Sequence, residues 1–245
     1  MSQSEVKRNL SLNGNQLKLI AIAAMTTDHL AWVIFPGYSA NPLAIVMHII
    51  GRLTAPIMCF FISEGFFYTH NLKKYILRMF LFAVPSHFAY LFAFGHPFVP
   101  DGLLNQTSVL WPFAFGLVAL ALWSSGIKQI WKVLGFIAIC IITFPSDWSC
   151  IAVLVILGFY YNRGNLKNQT LCLALFAAFY AVVYCIFLDM AYGLLQMCVL
   201  LSVPLLYLYN GERGNVRWRV ASKWGFYIYY PLHLFLIGLL RLALK

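Results

Sequence analysis

Side chains that normally stay in water sit inside apolar runs of this sequence. Asp28 and His29 stand side by side in "LKLIAIAAMTTDHLAWVIFP". His48, Arg52 and Glu64 fall in "HIIGRLTAPIMCFFISEGFFYTH", Ser86 and His87 lie in the next run, and His233 follows Pro231 in "GFYIYYPLHLFLI". An ionisable group at membrane depth costs at least ~2.5–3.5 kcal/mol, so it marks function by default. An imidazole can take and return a proton near neutral pH. A guanidinium can steady a developing oxyanion, and a carboxylate can hold a cation or a histidine tautomer. The same groups also build proton relays and structural ion pairs. Arg52 in the second reading simply neutralises Asp28 or Glu64. Neighbours on a helix point about 100° apart, so Asp28 does not orient His29, and each needs a partner from another helix. His48 and His87 read as capped or packed histidines. Glu64 and His70 lie near the cytoplasmic end of their span, and His96 reads as an exterior loop residue.

The elements that carry these groups follow from composition. The chain has 245 residues, 62% hydrophobic and 10% charged, with mean hydropathy +0.80. Soluble domains carry about 25% charged residues, so this chain cannot cover itself with polar surface and must lie in a bilayer. Nine apolar segments stand out, near 17–36, 43–69, 73–95, 108–123, 128–144, 148–163, 168–188, 191–209 and 220–243. The second is long enough to tilt, with Pro56 as a kink site. The division at "LDMAYG" is the one with the weakest polar break. The expected fold is all-α, a polytopic helical bundle of about nine transmembrane helices forming one domain over 1–245.

The loops fall into two alternating classes. One holds Lys7, Arg8, Lys18, Lys73, Lys74, Arg78, Lys128, Lys132, Arg163, Lys167, Arg213, Arg217, Arg219 and Lys223, which is 14 of the 17 basic residues. The other has no Lys or Arg and holds Asp101, Asp147 and Asp189; Arg241 and Lys245 at the far end are exceptions. The positive-inside rule then places the N-terminus in the cytoplasm and the C-terminus outside. The net charge of +10 mostly reflects topology and gives no reason to expect nucleic acid. The first apolar run is too long for a cleavable signal peptide and lacks an A-x-A-like site. The six cysteines form no C-x-x-C pair and read as small buried hydrophobes. No H-x-x-x-H or H-E-x-x-H pair occurs, so no metal is expected.

The "DH" of the first run, the "GR…P" and "EGF…T.N…KY..R" of the second, and the late "YPLHL" resemble the TraX family in order and spacing. The resemblance covers essentially the whole chain. That family is similar to the wider group of transmembrane acyltransferases, including the acyltransferase type 3 proteins and the lysosomal heparan-glucosaminide acetyltransferase. It implies an acetyltransferase of the bacterial inner membrane that takes acetyl groups from cytosolic acetyl-CoA. The acceptor is an amine or hydroxyl at or across the membrane, on a peptide N-terminus, a sugar or a lipid. The family's founder is associated with acetylating a pilin N-terminus. Carried over, the base is His29, with His233 as second choice. Asp28 holds an imidazolium or a partner cation, Arg52 meets the oxyanion or acyl carbonyl, and Glu64 pairs with Arg52 or Arg78. Lys73, Lys74, Arg78, Arg217 and Arg219 would meet CoA phosphates, although the positive-inside rule alone also accounts for them. A proton-coupled transporter and a non-catalytic assembly factor are the rivals; the transporter is disfavoured because no repeated halves are visible.

Depth gives one specific pairing. Asp28 and Arg52 fall at nearly the same level below the outer surface. Glu64 is about 12 residues further in, roughly 18 Å along a helix. An Arg52–Asp28 contact is therefore expected.

Overall fold

The structure is a computed structural model, and it describes residues 11–98, 106–214 and 218–244. The side chains of 218–223 lie outside that description. Among the described residues the regular structure is helical. In chain order the helices are α1 Gly14–Ile34, α2 Pro42–Gly51, α3 Thr54–Tyr68, α4 Leu72–Phe94, α5 Leu110–Trp123, α6 Gln129–Thr143, α7 Ser149–Tyr161 and α8 Leu166–Phe187. Then follow α9 Met190–Leu195, a 3₁₀ stretch Gln196–Leu201, α10 Ser202–Tyr207 and α11 Trp218–Ala243.

The nine expected segments are all present. Six are long and apolar enough to cross a bilayer, counting Pro42–Tyr68 and Met190–Tyr207 as continuous spans. The division at "LDM" holds for a local reason. The Asp189 side chain accepts from the Tyr192 N–H and so caps a new helix. The kink in the second span falls at Arg52–Leu53, upstream of Pro56. Proline has no N–H to reach the carbonyl four residues back, which is that of Arg52. The chain breaks there, and the Leu53 N–H turns to Ile50 O at 3.1 Å.

The coordinates divide into two compact units. The first comprises Met1–Met58 and Ala177–Tyr227. Asn13 starts α1 with a reciprocal capping box to Gln16. The small residues Ala21, Ala24 and Ala31 form a buried face on α1, and Ala44 and Gly51 answer from α2. A Cβ on Gly51 would land inside the Asp28 side chain, so only glycine permits this approach. Thr54 adds a hydrogen bond to Ala21 O at 3.0 Å. At the cytoplasmic end, Leu12 pairs with the chain at 208–210 through Leu12 N to Leu208 O at 2.8 Å and Asn210 N to Leu12 O at 3.0 Å.

The second unit comprises Cys59–Phe176 and Ile228–Lys245. Its core packs Ala119, Ile139 and Val153 from α5, α6 and α7. These three helices have only 14, 15 and 13 residues. That is roughly 20–22 Å, short of a ~30 Å hydrocarbon layer. The exterior turns explain the deficit. The His87 imidazole meets Thr107 Oγ1 at 2.7 Å, and Asp147 N donates to Thr107 O at 2.8 Å. His87 lies seven residues before the outer end of α4, about 10 Å below it. The turns at 107 and 146–147 therefore pack beside α4 at the level of His87, not at its end, and the short helices start from there. Such backbone is tolerated at depth because it is buried in protein.

Apolar side chains point outward where lipid should lie. Leu171, Leu175, Phe179, Val182 and Ile186 form an exposed stripe on α8 at helical spacing. Ile130, Trp131, Leu134, Ile137 and Ile141 do the same on α6.

The charge alternation and the span count make one joint prediction. Cysteines placed at Tyr38 or Asp147, in a background without the native cysteines, should react with a membrane-impermeant maleimide from outside intact cells. Cysteines at Lys128 or Arg213 should react only after lysis. Exterior labelling at position 128 would break the nine-segment topology.

Candidate functional site

Asp28 points from α1 toward α2, and its partner there is His48. The His48 Nδ1 lies 2.9 Å from Asp28 Oδ1. The His48 side chain is fully buried, and Asp28 is 14% exposed. With a carboxylate against Nδ1, that nitrogen carries a proton and donates it to Asp28; in the neutral tautomer of such a ring the lone pair is on Nε2. That Nε2 is buried and has no hydrogen-bond partner among the described residues. Arg52 stands one helical turn beyond His48, on the same face, and its charge acts on Asp28. Arg52 is itself buried. Three groups that would each be costly alone thus compensate one another.

Aromatic rings close the exterior side of this cluster. The Trp32 ring lies 4.6 Å from His48, and the Tyr192 ring 5.2 Å from it. Tyr38 packs edge-on against Tyr192 at 4.9 Å. The Tyr192 hydroxyl donates to Ser39 O at 3.1 Å, which ties the ring to the exterior loop. Burial and the nearby Asp189 push the Tyr38 phenol above its ordinary pKa, so it stays neutral.

The other expected site residues are placed as follows. His29 is buried next to Asp28, and the charges of Asp28 and Arg52 both reach it. His233 lies in the second unit, where its Nδ1 meets Tyr229 O at 3.0 Å and its ring stacks on Tyr229. His87 is capped by Thr107, as a packed histidine should be. Lys73 and Lys74 are exposed in the first turn of α4, and Arg78 lies over the Tyr75 ring at 5.2 Å. Arg217 falls outside the described residues, and so does the side chain of Arg219.

The pairing of Glu64 with Arg52 or Arg78 is not what the structure shows. Its partner is Arg163, with Nε to Oε1 at 2.7 Å and Nη2 to Oε2 at 3.2 Å. The same guanidinium donates to the Tyr68 hydroxyl at 2.8 Å and covers the Phe67 ring at 3.7 Å. The physical reason is depth: Glu64 is near the cytoplasmic end of α3, level with the loop that carries Arg163. The hydrogen bonds that Arg163 donates to Glu64 raise its pKa further, so this cation is permanent. The partner was legible only as a loop cation of the inside class.

The class defined by this arrangement is a multi-pass helical membrane protein with a buried histidine–carboxylate–arginine group. The chain belongs to the TraX protein family, whose profile matches residues 13–241. A curated relative is "Probable fimbrial assembly protein FimC, serogroup H1" of Dichelobacter nodosus. It is 27% identical over 249 residues, covering 98% of this chain and 100% of that protein. No solved structure matches.

The Glu64–Arg163 bridge makes a structural prediction. Arg163→Ala should destabilise the second unit by about 1–3 kcal/mol, the cost of leaving a part-buried charged partner unsatisfied. Arg163→Lys should keep the charge, lose the fork and fall between. Thermal unfolding in detergent measures both. A melting temperature unchanged in Arg163→Ala would remove the bridge from the account.

Proposed function

We propose that this protein is an acetyl-CoA-dependent acetyltransferase of the bacterial inner membrane that modifies an amine or hydroxyl acceptor. The observation that carries the reading is the His48–Asp28 hydrogen bond with the opposite imidazole nitrogen unpartnered, beside Arg52. That is the arrangement a general base needs: one nitrogen fixed by a carboxylate, the other with its lone pair available. The relative's printed name supports an acceptor in fimbrial assembly, and the N-terminal amine of a fimbrial subunit is the acceptor proposed here.

The chemistry follows from the residues. The acceptor's lone pair attacks the thioester carbonyl, and the Arg52 guanidinium offsets the charge that builds on oxygen. His48 Nε2 takes the acceptor proton, and Asp28 steadies the imidazolium. The C–S bond then breaks, and the proton passes from His48 to the departing CoA thiolate. Lys73 and Lys74, exposed at the cytoplasmic end of α4, suit the charge of CoA phosphates. His29, the base by resemblance, becomes the rival of His48, and the two can be told apart. In this reading Glu64 holds structure and takes no part in the chemistry.

Purified protein should cleave the acetyl-CoA thioester when an acceptor is present. His48→Asn, which keeps a donor toward Asp28 but has no base, should lower turnover by ~10²–10⁴-fold with CoA binding intact. Arg52→Lys should also be strongly impaired, since a point charge does not replace a fork. His29→Ala should retain more activity than His48→Asn. The reverse order would return the base role to His29, and full turnover in both would leave an assembly factor without chemistry.

A further inference from the structure

The span that faces the site from the other side changes its winding. It runs as α helix from Met190, then as 3₁₀ helix over Gln196–Leu201, then as α helix again. A six-residue 3₁₀ stretch inside a span is longer than usual and marks strain or a functional hinge. At the transition the Gln196 backbone N–H leaves the carbonyl of Tyr192 and turns to Gly193 and Leu194. The Gln196 side chain fills the gap, with Nε2 donating to Tyr192 O at 3.2 Å. Its amide nitrogen is therefore committed. Its Oε1 is buried in a residue 1% exposed, with no hydrogen-bond partner among the described residues. A buried acceptor left so is costly.

Register places this oxygen. The span runs antiparallel to α1: Leu12 pairs with Tyr209 at the cytoplasmic end, and Trp32 meets Tyr192 near the exterior. One turn inward from Trp32 is Asp28, and one turn inward from Tyr192 is Gln196. Arg52 is likewise one turn inward from His48, and its charge reaches Cys198. Two orphaned acceptors of the first unit, His48 Nε2 and Gln196 Oε1, thus lie about one helical turn apart in depth, on elements that meet at Tyr192.

We propose that Gln196 selects the acceptor: its Oε1 receives the second N–H of a primary amine, which a hydroxyl does not have. This rests on the transfer reading above and deepens it. A neutral amine carries one proton toward His48 Nε2 and another toward Gln196 Oε1. A hydroxyl offers only one and leaves an acceptor unmatched. A site built to bind a given N–H discriminates against the analogue that lacks it.

The test uses the full-length protein, acetyl-CoA, a glycyl peptide with a free amine, and its glycolyl counterpart, which carries a hydroxyl in the same place. The wild type should acetylate the amine at least tenfold more efficiently. Gln196→Met should lose at least tenfold on the amine and stay within about twofold on the hydroxyl, which erases the preference. Gln196→Glu keeps an acceptor oxygen but loses the N–H that caps Tyr192 O, and it should keep the preference. If Gln196 only supports the 3₁₀ turn, both variants fall equally on both acceptors, and the proposal is overturned while the transfer reading stands. If the wild type transfers to neither acceptor, the transfer reading itself fails and takes this one with it.

Discussion

Everything in the first unit is arranged around one buried carboxylate. Asp28 sits about six residues from the exterior end of α1, roughly 9 Å down at 1.5 Å per residue. Left alone there it would be protonated or would unfold the span. Its compensation comes from α2 through two distinct contributions. His48 supplies a direct hydrogen bond, and Arg52 supplies a charge one turn further in. Neither works unless the two backbones approach closely. That requirement falls on Gly51, where any side chain would collide with Asp28. The small faces of α1 and α2 serve the same end. In lipid, where apolar side chains gain little by meeting each other, small residues and polar bonds hold helices together.

The second unit solves a similar problem in a way that separates structure from chemistry. Glu64 and Arg163 form a forked pair near the cytoplasmic surface, with Tyr68 and Phe67 covering the guanidinium. Every donor placed on Glu64 belongs to one cation, and the pair is complete in itself. At Asp28 the bonding is incomplete: the histidine that satisfies the carboxylate keeps an unsatisfied nitrogen. Saturated pairs hold helices in place, whereas unsaturated ones can exchange a proton.

Much of this was legible in the residues, and what was not has physical causes. Helix positions followed from hydropathy. Counting depth along two helices puts Arg52 near the level of Asp28, and its charge does act there. His48 was underrated because a histidine in an apolar run is usually packed, and packing alone cannot reveal that it shares a level with Asp28. The count was available, since His48 precedes Arg52 by one turn. Glu64 pairs with neither Arg52 nor Arg78 because its partner, Arg163, comes from a loop 99 residues further along the chain. The break near Pro56 is a local effect that the proline itself announces, whereas the approach of the loop that carries Arg163 is a long-range fact that no local pattern encodes. The three short helices read as full spans because their hydropathy is high. The bond from His87 to Thr107 shows that the turn before α5 packs against the body of α4 and not against its end.

The two departures from regular helix in the first unit occur near the same depth, and both have a donor problem at their origin. At Pro56 the missing N–H abandons the Arg52 carbonyl, and the chain turns between α2 and α3. At Gln196 the backbone N–H shifts to a nearer carbonyl, and the side-chain amide restores the bond to Tyr192. Regular helices present side chains but hide their backbone, and in lipid an irregular backbone survives only inside protein or against a polar cavity. Interrupted helices near mid-span are where membrane proteins often gather polar groups for a ligand. Here the interruptions bracket Asp28, His48 and Arg52 from two facing elements. The polar side chains and the irregular backbone therefore share one local compensation, in which each makes the other affordable at that depth.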